Sequence, residues 1–324
     1  MRRWAGLCLL AGFVIAPGAL AEPIEVTVRP FEQFWLTGGD DADAPLQFLG
    51  GLDISSPDRD FGGYSGIAVA GDGSEILLIG DSGSFVRARL VHEDGRLVGI
   101  AEAEIDSLFP EGDGSKKASD AEDVALDPLN PQRGVIVRER QANAMLTFEM
   151  DDGQPTDFAP MLVGADDRIL RSNKGLESVA YAPAASPAAG KIIAIAERAP
   201  RGAENIPGWI AGVGTFEILP HDDFDVSSAR FLPDGDLVLL ERRYTPGWGI
   251  AMRLRRVDGA ALKVGARLDG KYLIDAGMTS QIDNMEGLAV HQDEAGRTIL
   301  TLVSDDNHSI LQRTLILQFA LSDD

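Results

Sequence analysis

Residues Asn284 to Asn307 read NMEGLAVHQDEAGRTILTLVSDDN: a short apolar strand opened by Glu286-Gly287, a polar turn, and a second apolar strand closing on Asp305-Asp306. Four other stretches repeat the pattern: Tyr64 to Gly83 (YSGIAVAGDGSEILLIGDSG), Ala121 to Arg140 (AEDVALDPLNPQRGVIVRER), Leu176 to Arg198 (LESVAYAPAASPAAGKIIAIAER) and Ser227 to Arg243 (SSARFLPDGDLVLLERR). Aligned on the residue opening the first strand (Ser65, Glu122, Glu177, Ser228, Glu286), the copies lie 57, 55, 51 and 58 residues apart. A period near 50 built only of strand and turn signals predicts an all-β chain folded as one β-propeller, because a lone blade cannot bury its two faces.

The hairpin also says where chemistry gathers. Two antiparallel strands joined by a tight turn bring the start of the first and the end of the second to one edge of the sheet. Glu122, Glu177 and Glu286 therefore share an end of the molecule with Asp81, Glu139, Glu197, Glu241 and Asp305, which close the second strands. In a propeller the first strand of each blade lines the central channel, so that end becomes an acidic ring around its mouth.

Working outward, Leu46 to Ile54 (LQFLGGLDI) reads as a strand, and after Asp306 only one clear strand remains, Thr314 to Leu321 (TLILQFAL). The last blade is thus short of a strand. Lending it the N-terminal one closes the ring and removes open edges. Ile24 to Phe34 is expected to be an edge strand, with Pro30 limiting its pairing. The first blade adds Phe85 to His92 and Leu97 to Ile105 around an Asp94-Gly95 turn; the second adds Ala144 to Met150 and turns at Asp152-Gly153. In the third, Pro200 to Trp209 reads as loop and only Gly214 to Leu219 as an outer strand. The fourth turns at Asp234-Gly235 and adds Ile250 to Val257 and Lys263 to Ile274. Five four-stranded blades are visible, and the chain leaves room for a sixth.

The first 21 residues read as a secretory signal, with Arg2-Arg3, an apolar run from Trp4 to Ile15, and Ala19-Leu20-Ala21 before a cleavage point at Glu22. The apolar run is short for a membrane span. Ordinary export rather than the twin-arginine route is expected, since the residues that route favours around the arginine pair are missing. Cys8, the chain's one cysteine, lies inside this segment, so residues 22 to 324 form a propeller without disulfides, thiolate ligands or a cysteine nucleophile. A periplasmic or secreted protein follows. Losing the two arginines moves the formal charge from −22 to −24. That charge repels nucleic acid and anionic membrane and invites cations; no nucleic-acid partner and no membrane insertion after signal cleavage are expected, and the chain is expected to be a monomer.

Several motifs carry a resemblance. Gly63-Tyr64-Ser65-Gly66 leading to Gly80-Asp81-Ser82-Gly83, Asp120-Ala121-Glu122, Asn173-Lys174-Gly175-Leu176-Glu177, Leu240-Glu241-Arg242 and Asn284-Met285-Glu286-Gly287 resemble the bacterial phytase-like family, described as having the esterase-like activity of phytase. The resemblance spans about Leu46 to Leu321, and it implies a hydrolase acting on ester bonds. One departure is that the copies opening at Ser65 and Ser228 start without a carboxylate, so a symmetric ring is not expected.

Converging Asp, Glu and Asn oxygens suit a hard cation such as Ca²⁺, which takes six to eight oxygen ligands. Glu122, Glu177, Asn284, Glu286 and Asp305 are the expected metal ligands, and Glu122, Glu177, Glu286 and Asp81 the expected catalytic carboxylates. Lys174, Arg198 and Arg242 are expected to hold a phosphate, arginine's planar fork suiting its oxygens. The bland alternative is that carboxylates beside arginines are ion pairs tying neighbouring blades. His92, His221, His291 and His308 lack metal-ligand spacing and read as surface residues. The Ser in Gly80-Asp81-Ser82-Gly83 is not read as a nucleophile, since the other copies carry Arg or Asp there.

The leading expectation is an exported, metal-assisted hydrolase of phosphate esters, phytase-like or phosphodiesterase-like, with a small-molecule phosphate ester or other ester as partner. A lactonase-type propeller would use the same ring around a divalent ion on a neutral ring ester. A non-enzymatic propeller would bind a ligand or protein on that face with its carboxylates paired off.

Overall fold

The computed structural model describes residues 21–38, 44–109, 120–138, 145–165 and 175–322. The signal segment up to residue 20, Glu139, Arg140 and Lys174 lie outside the described residues.

Among the described residues the strands form five sheets, each a blade. The chain opens with β1 (Glu22–Pro23), β2 (Thr27–Phe31) and β3 (Leu46–Ser55), which serve blades built later. Blade 1 comprises β4 (Tyr64–Val69), β5 (Glu75–Gly80), β6 (Ser84–Glu93) and β7 (Arg96–Ser107), with β1 laid outside β7. Blade 2 comprises β8 (Ala121–Asp127), β9 (Asn130–Arg138), β10 (Met145–Asp151) and β11 (Gln154–Met161). Blade 3 comprises β12 (Leu176–Tyr181), β13 (Ile192–Ala196), β14 (Ile206–Ile210) and β15 (Gly214–Ile218). Blade 4 comprises β16 (Asp225–Phe231), β17 (Leu237–Thr245) and β18 (Gly249–Val257); the chain then sends β19 (Arg267–Leu268) parallel to β15 of blade 3 before returning as β20 (Gly270–Ala276). Blade 5 comprises β21 (Asn284–Gln292), β22 (Thr298–Asp305) and β23 (Thr314–Leu321), completed by β3 and β2.

The closure follows from β3, whose apolar residues have no partner near them in sequence. It pairs antiparallel with β23 from Leu46 opposite Leu321 to Ile54 opposite Thr314. β2 then covers the outer edge, Pro30 sitting where a missing N–H costs no ladder bond. The expected turns form as well: Asp94 and Gly95 take φ of 50° and 74°, and Asp152 and Gly153 take 47° and 78°, the left-handed pair that a two-residue hairpin requires.

Two expectations about outer strands are corrected. The stretch from Pro200 to Trp209 is not all loop, because Ile206–Ile210 forms β14. Pro207 and Gly208 disguise it, yet Pro207 lies beyond the part of β14 that pairs with β13, and Gly208 leaves room for the Phe216 ring across the ladder. Lys263 to Ile274 is not one strand either; it splits between two blades as β19 and β20.

The inner strands β4, β8, β12, β16 and β21 pack side by side in that order and back to β4. Their approach is close enough to need glycine. A Cβ on Gly66 would stand 3.0 Å from the Val124 nitrogen and 3.1 Å from the Asp123 Cα, and one on Gly287 would stand 2.9 Å from the Ile67 nitrogen. Between neighbouring sheets lie apolar clusters, for example Leu52, Ile54, Val303 and Ile316 of blade 5 against Ile67, Leu78 and Val86 of blade 1.

The channel itself is plugged by a charge pair. Arg230 of β16 donates to both oxygens of Asp123 on β8, Nη1 to Oδ2 at 2.8 Å and Nη2 to Oδ1 at 2.7 Å. The guanidinium also donates to the carbonyls of Val179 (2.8 Å), Ile67 (3.4 Å) and Val124, on β12, β4 and β8. Asp123 in turn accepts from the Val124 and Val179 backbone at 2.9 and 3.0 Å. One buried pair thus ties the inner strands of four blades. Burial pushes the Asp123 carboxyl up from its ordinary range, and Arg230 opposes that.

Candidate functional site

The mouth of the channel is shaped by a repeated irregularity. In every inner hairpin the ladder slips by one residue, at Ser65, Glu122, Glu177, Ser227 and Glu286. A β-bulge inserts one residue opposite none, bends the strand and re-aims a side chain, commonly at a rim. Glu122, Glu177 and Glu286 are thus the bulged residues of blades 2, 3 and 5.

Blade 4 departs from the expected alignment by one position. Its bulge is at Ser227, not Ser228, and Asp225 pairs with Arg242 as Asn284 pairs with Asp305. Arg242 is therefore the register equivalent of Asp305, of Glu197, whose N–H donates to the Gly175 carbonyl at 3.1 Å, and of Asp81, whose N–H donates to Gly63 at 3.0 Å. Glu241 is not in the ring. Strand alternation turns it away from the mouth, and it is buried against Arg255 of β18 in a tight ion pair. Burial raises the Glu241 carboxyl and Arg255 pulls it back.

Arg242 stands among the acids. Its Nε lies 2.8 Å from Glu286 Oε2, an ion pair without the alignment of a hydrogen bond, and its Nη2 lies 3.7 Å from Glu177 Oε1 and 3.9 Å from Glu197 Oε1. Its Nη1 reaches Asn284 Oδ1 at 3.5 Å, while Asn284 Nδ2 donates to Glu286 Oε1 at 2.8 Å. Asp305 closes β22 nearby and accepts from the Asn307 N–H at 2.6 Å.

One guanidinium does not neutralise this cluster. Burial, followed by repulsion from Glu122, Glu197 and Glu286, pushes Glu177 well above the ordinary carboxylate range despite Arg242. Burial raises Glu286 to about 7, against the pull of Arg242, with Asp305 and Glu197 adding to the rise. Asp305 is raised to about 6 by burial, with Asp81 and Asp306 adding to it. For Arg242 burial disfavours the charge, but Glu286, Glu177, Glu197 and Asp305 outweigh it and hold its proton more tightly than usual.

The remaining expected residues divide. Glu122 is half-buried and close enough for Glu177 to feel its charge; Asp81 acts likewise on Asp305. Arg198 turns to the flank, paired with Asp225 of blade 4 and 3.9 Å from Glu197. So the ion pairs Arg198 to Asp225 and Arg242 to Glu286 do tie blades 3 to 4 and 4 to 5. His291 is not a surface residue: it is buried beneath the Gly73 turn, and burial lowers it to about 4.

Whether the ring suits a divalent cation is a question of donors. All are carboxylate or amide oxygens, which hard cations prefer, and burial, with neighbouring carboxylates adding to it, raises the proton affinity of Glu177, Glu286 and Asp305. By donor chemistry they fit. As arranged around Arg242, no three Asp, Glu or His side chains among the described residues converge with metal-ligand spacing.

No curated protein matches the chain. Three solved structures illustrate its structural likenesses. They are RRP9 WD40 repeats (11% identity, TM-score 0.40, 86% of this chain and 99% of that one), the Myceliophteria thermophila Cps50 (Swd1) beta-propeller domain (8% identity, TM-score 0.41, 91% and 100%), and Kuenenia stuttgartiensis hydrazine synthase (13% identity, TM-score 0.39, 78% and 79%). Likeness this low carries no argument, and the blade count rests on the strand pairing above. The family model Phytase-like, esterase-like activity of phytase, matches residues 59–308, which takes in all five inner hairpins and every acid of the ring. The chain therefore belongs to the Phytase-like family.

Proposed function

We propose that the protein is an exported hydrolase of phosphate esters that works with a divalent cation at the channel mouth. The observation that carries this reading is the cluster of four buried carboxylates, Glu177, Glu197, Glu286 and Asp305, gathered at the mouth with Arg242 among them. Family membership supports ester hydrolysis as the reaction class. The Ala19-Leu20-Ala21 cleavage motif supports export.

Glu122, Glu177, Asn284, Glu286 and Asp305 would hold the cation, calcium being the expected one. When bound, it supplies the charge that neutralises a phosphate and polarises its P–O bond. Arg242 would offer its planar fork to a phosphate oxygen. Glu286, raised to about 7 without the ion, would ionise on holding it, so proton transfer toward the attacking water or the leaving oxygen would fall to a ring carboxylate outside the ligand set, Asp81. Asp81 lies on the Asp305 side and biases that carboxyl toward its protonated form.

A neutral ring ester is the second reading. It is favoured by the engagement of Arg242 with three carboxylates, since an anionic substrate has to compete with them. Purified protein is assayed on an aryl phosphate, an aryl phosphodiester and a simple lactone, with calcium and with a chelator. Chelator-sensitive turnover of the phosphate substrates is expected. Cleavage of the lactone alone favours the second reading, and turnover of none contradicts both.

A further inference from the structure

Blade 4 carries its middle hairpin past the mouth. β17 pairs with β16 only as far as Arg242, yet Arg243, Tyr244 and Thr245 continue against Ala251, Ile250 and Gly249 of β18. At about 3.3 Å per residue the hairpin rises roughly 10 Å beyond the ring. Its tip, Thr245-Pro246-Gly247-Trp248, is a rigid turn. Trp248 N–H donates to the Thr245 carbonyl at 2.9 Å, and Gly247 takes a φ of 83°, the type II arrangement with proline ahead of a left-handed glycine. This tip exposes two large aromatics, Trp248 at 83% and Tyr244 at 69%.

Against the hairpin stands a second stiff element. The turn from His221 to Phe224 places two successive aspartates, Asp222 and Asp223, at φ of 51° and 58°. Such left-handed non-glycine residues persist where the surroundings hold them. Here Arg243 Nη1 donates to the Asp222 carbonyl at 2.8 Å, and the Phe224 ring is stacked between Arg243 at 4.5 Å and Arg253 at 4.0 Å. Hairpin and turn flank an open pocket of about 590 Å³ whose lining includes Tyr244, Thr245, Trp248, Asp223, Asp225, Arg198 and Arg243. Arg198 is also 3.9 Å from Glu197, so the cavity adjoins the acidic ring.

We infer that this cavity is a saccharide-binding site. Its lining offers flat apolar faces beside paired acceptors and donors in nearly equal measure. A saturated hydroxylated ring matches both, laying its C–H face on Trp248 and Tyr244 while its hydroxyls donate to Asp223 and Asp225 and accept from Arg198 and Thr245. A bare aryl ring would offer Asp223 no donor, since Arg198 is already paired with Asp225, and a simple anion would face Asp223 directly. The stiff walls lower the ordering cost of binding.

The test reads binding rather than turnover, so its failure is separate from failure of the hydrolase reading. Wild-type protein is titrated with methyl glucoside, N-acetylglucosamine, xylose and cellobiose, with phenyl phosphate as the non-saccharide control, while tryptophan emission and heat are followed. At least one saccharide is expected to bind and shift the emission. Trp248→Ala is expected to weaken that binding about tenfold and Asp223→Asn to weaken it as well, both with unchanged melting temperature since both side chains are exposed. Trp248→Phe keeps the stacking face and should retain binding while losing the emission shift. Failure of every saccharide to bind, binding by phenyl phosphate alone, or unchanged affinity in Trp248→Ala overturns the inference.

Discussion

Arg242 of blade 4 lies 2.8 Å from Glu286 of blade 5, so the one basic residue in the ring of second-strand ends is set against the bulged carboxylate of the neighbouring inner strand. Blades 1, 3 and 5 carry Asp81, Glu197 and Asp305 at the same register. Had Arg242 been acidic too, the mouth would hold a nearly unbroken ring of like charges. The substitution makes an asymmetric site, with the Arg242 guanidinium on the side of blades 3, 4 and 5.

The raised carboxyls fix a sign for the pH dependence of stability. Glu286 rises to about 7 from an ordinary 4.5, and Asp305 to about 6 from 3.8, so between those values the folded state binds more protons than the unfolded one. Stability from these groups is complete below the ordinary values and falls as pH climbs from about 4 to about 7. At ~1.4 kcal/mol per pH unit, Glu286 alone accounts for a loss of about 3 kcal/mol by pH 8. Thermal melts in chelator should show Glu286→Gln gaining on wild type at pH 8 and not at pH 4.5. An equal difference at both pH values contradicts the assigned shift.

Removing Arg242 should act in the opposite sense. Arg242→Met leaves Glu177, Glu197 and Glu286 without their shared counter-charge, so the variant is expected to lose stability at pH 8 by several kcal/mol and to recover most of it at pH 5. Melts at the two pH values decide it. A pH-independent loss would mean that the residue matters for packing alone.

The channel plug makes a separate prediction. Arg230→Met strands Asp123 among backbone groups, and Asp123→Asn strands the guanidinium, so each is expected to cost about 3 to 5 kcal/mol. The double variant Asp123→Asn with Arg230→Met should cost less than the sum of the two single losses. Urea denaturation gives the values, and strict additivity would deny the coupling.

Gly66 and Gly287 hold the inner strands at their close spacing. Gly287→Ala puts a methyl 2.7 Å from Val303 Cγ1 and 2.9 Å from the Ile67 nitrogen, so a loss of about 1 to 3 kcal/mol is expected in the same assay. The same substitution at Gly71, whose Cβ would meet nothing within 4 Å, should change stability little.

Much of this was legible in the sequence because hairpins announce themselves. Apolar alternation around Asp94-Gly95 and Asp152-Gly153 gave the outer strands of blades 1 and 2, and the orphaned Thr314 to Leu321 strand gave the closure. Bulges are silent by comparison, since one unpaired residue changes register without changing composition. In the Ser227-Ser228 doublet that silence cost one position and hid Arg242 among the ring residues while placing Glu241 there. Proline and glycine disguised β14. The Asp123 to Arg230 pair did leave a signal: each is a charge inside an apolar innermost strand, where a charge must find a partner.

Calcium binding measured by isothermal titration is the most direct test of the channel mouth as a cation site. Near pH 7 the wild-type protein should bind the ion with release of protons, seen as heats that differ between buffers of different ionisation enthalpy, because Glu286 is partly protonated there and must ionise to act as a ligand. Replacing Glu122, Glu177 and Glu286 together with Gln should abolish both the binding and the rise in melting temperature that calcium brings. No binding to the wild type, or the same binding in the triple variant, would contradict the assignment.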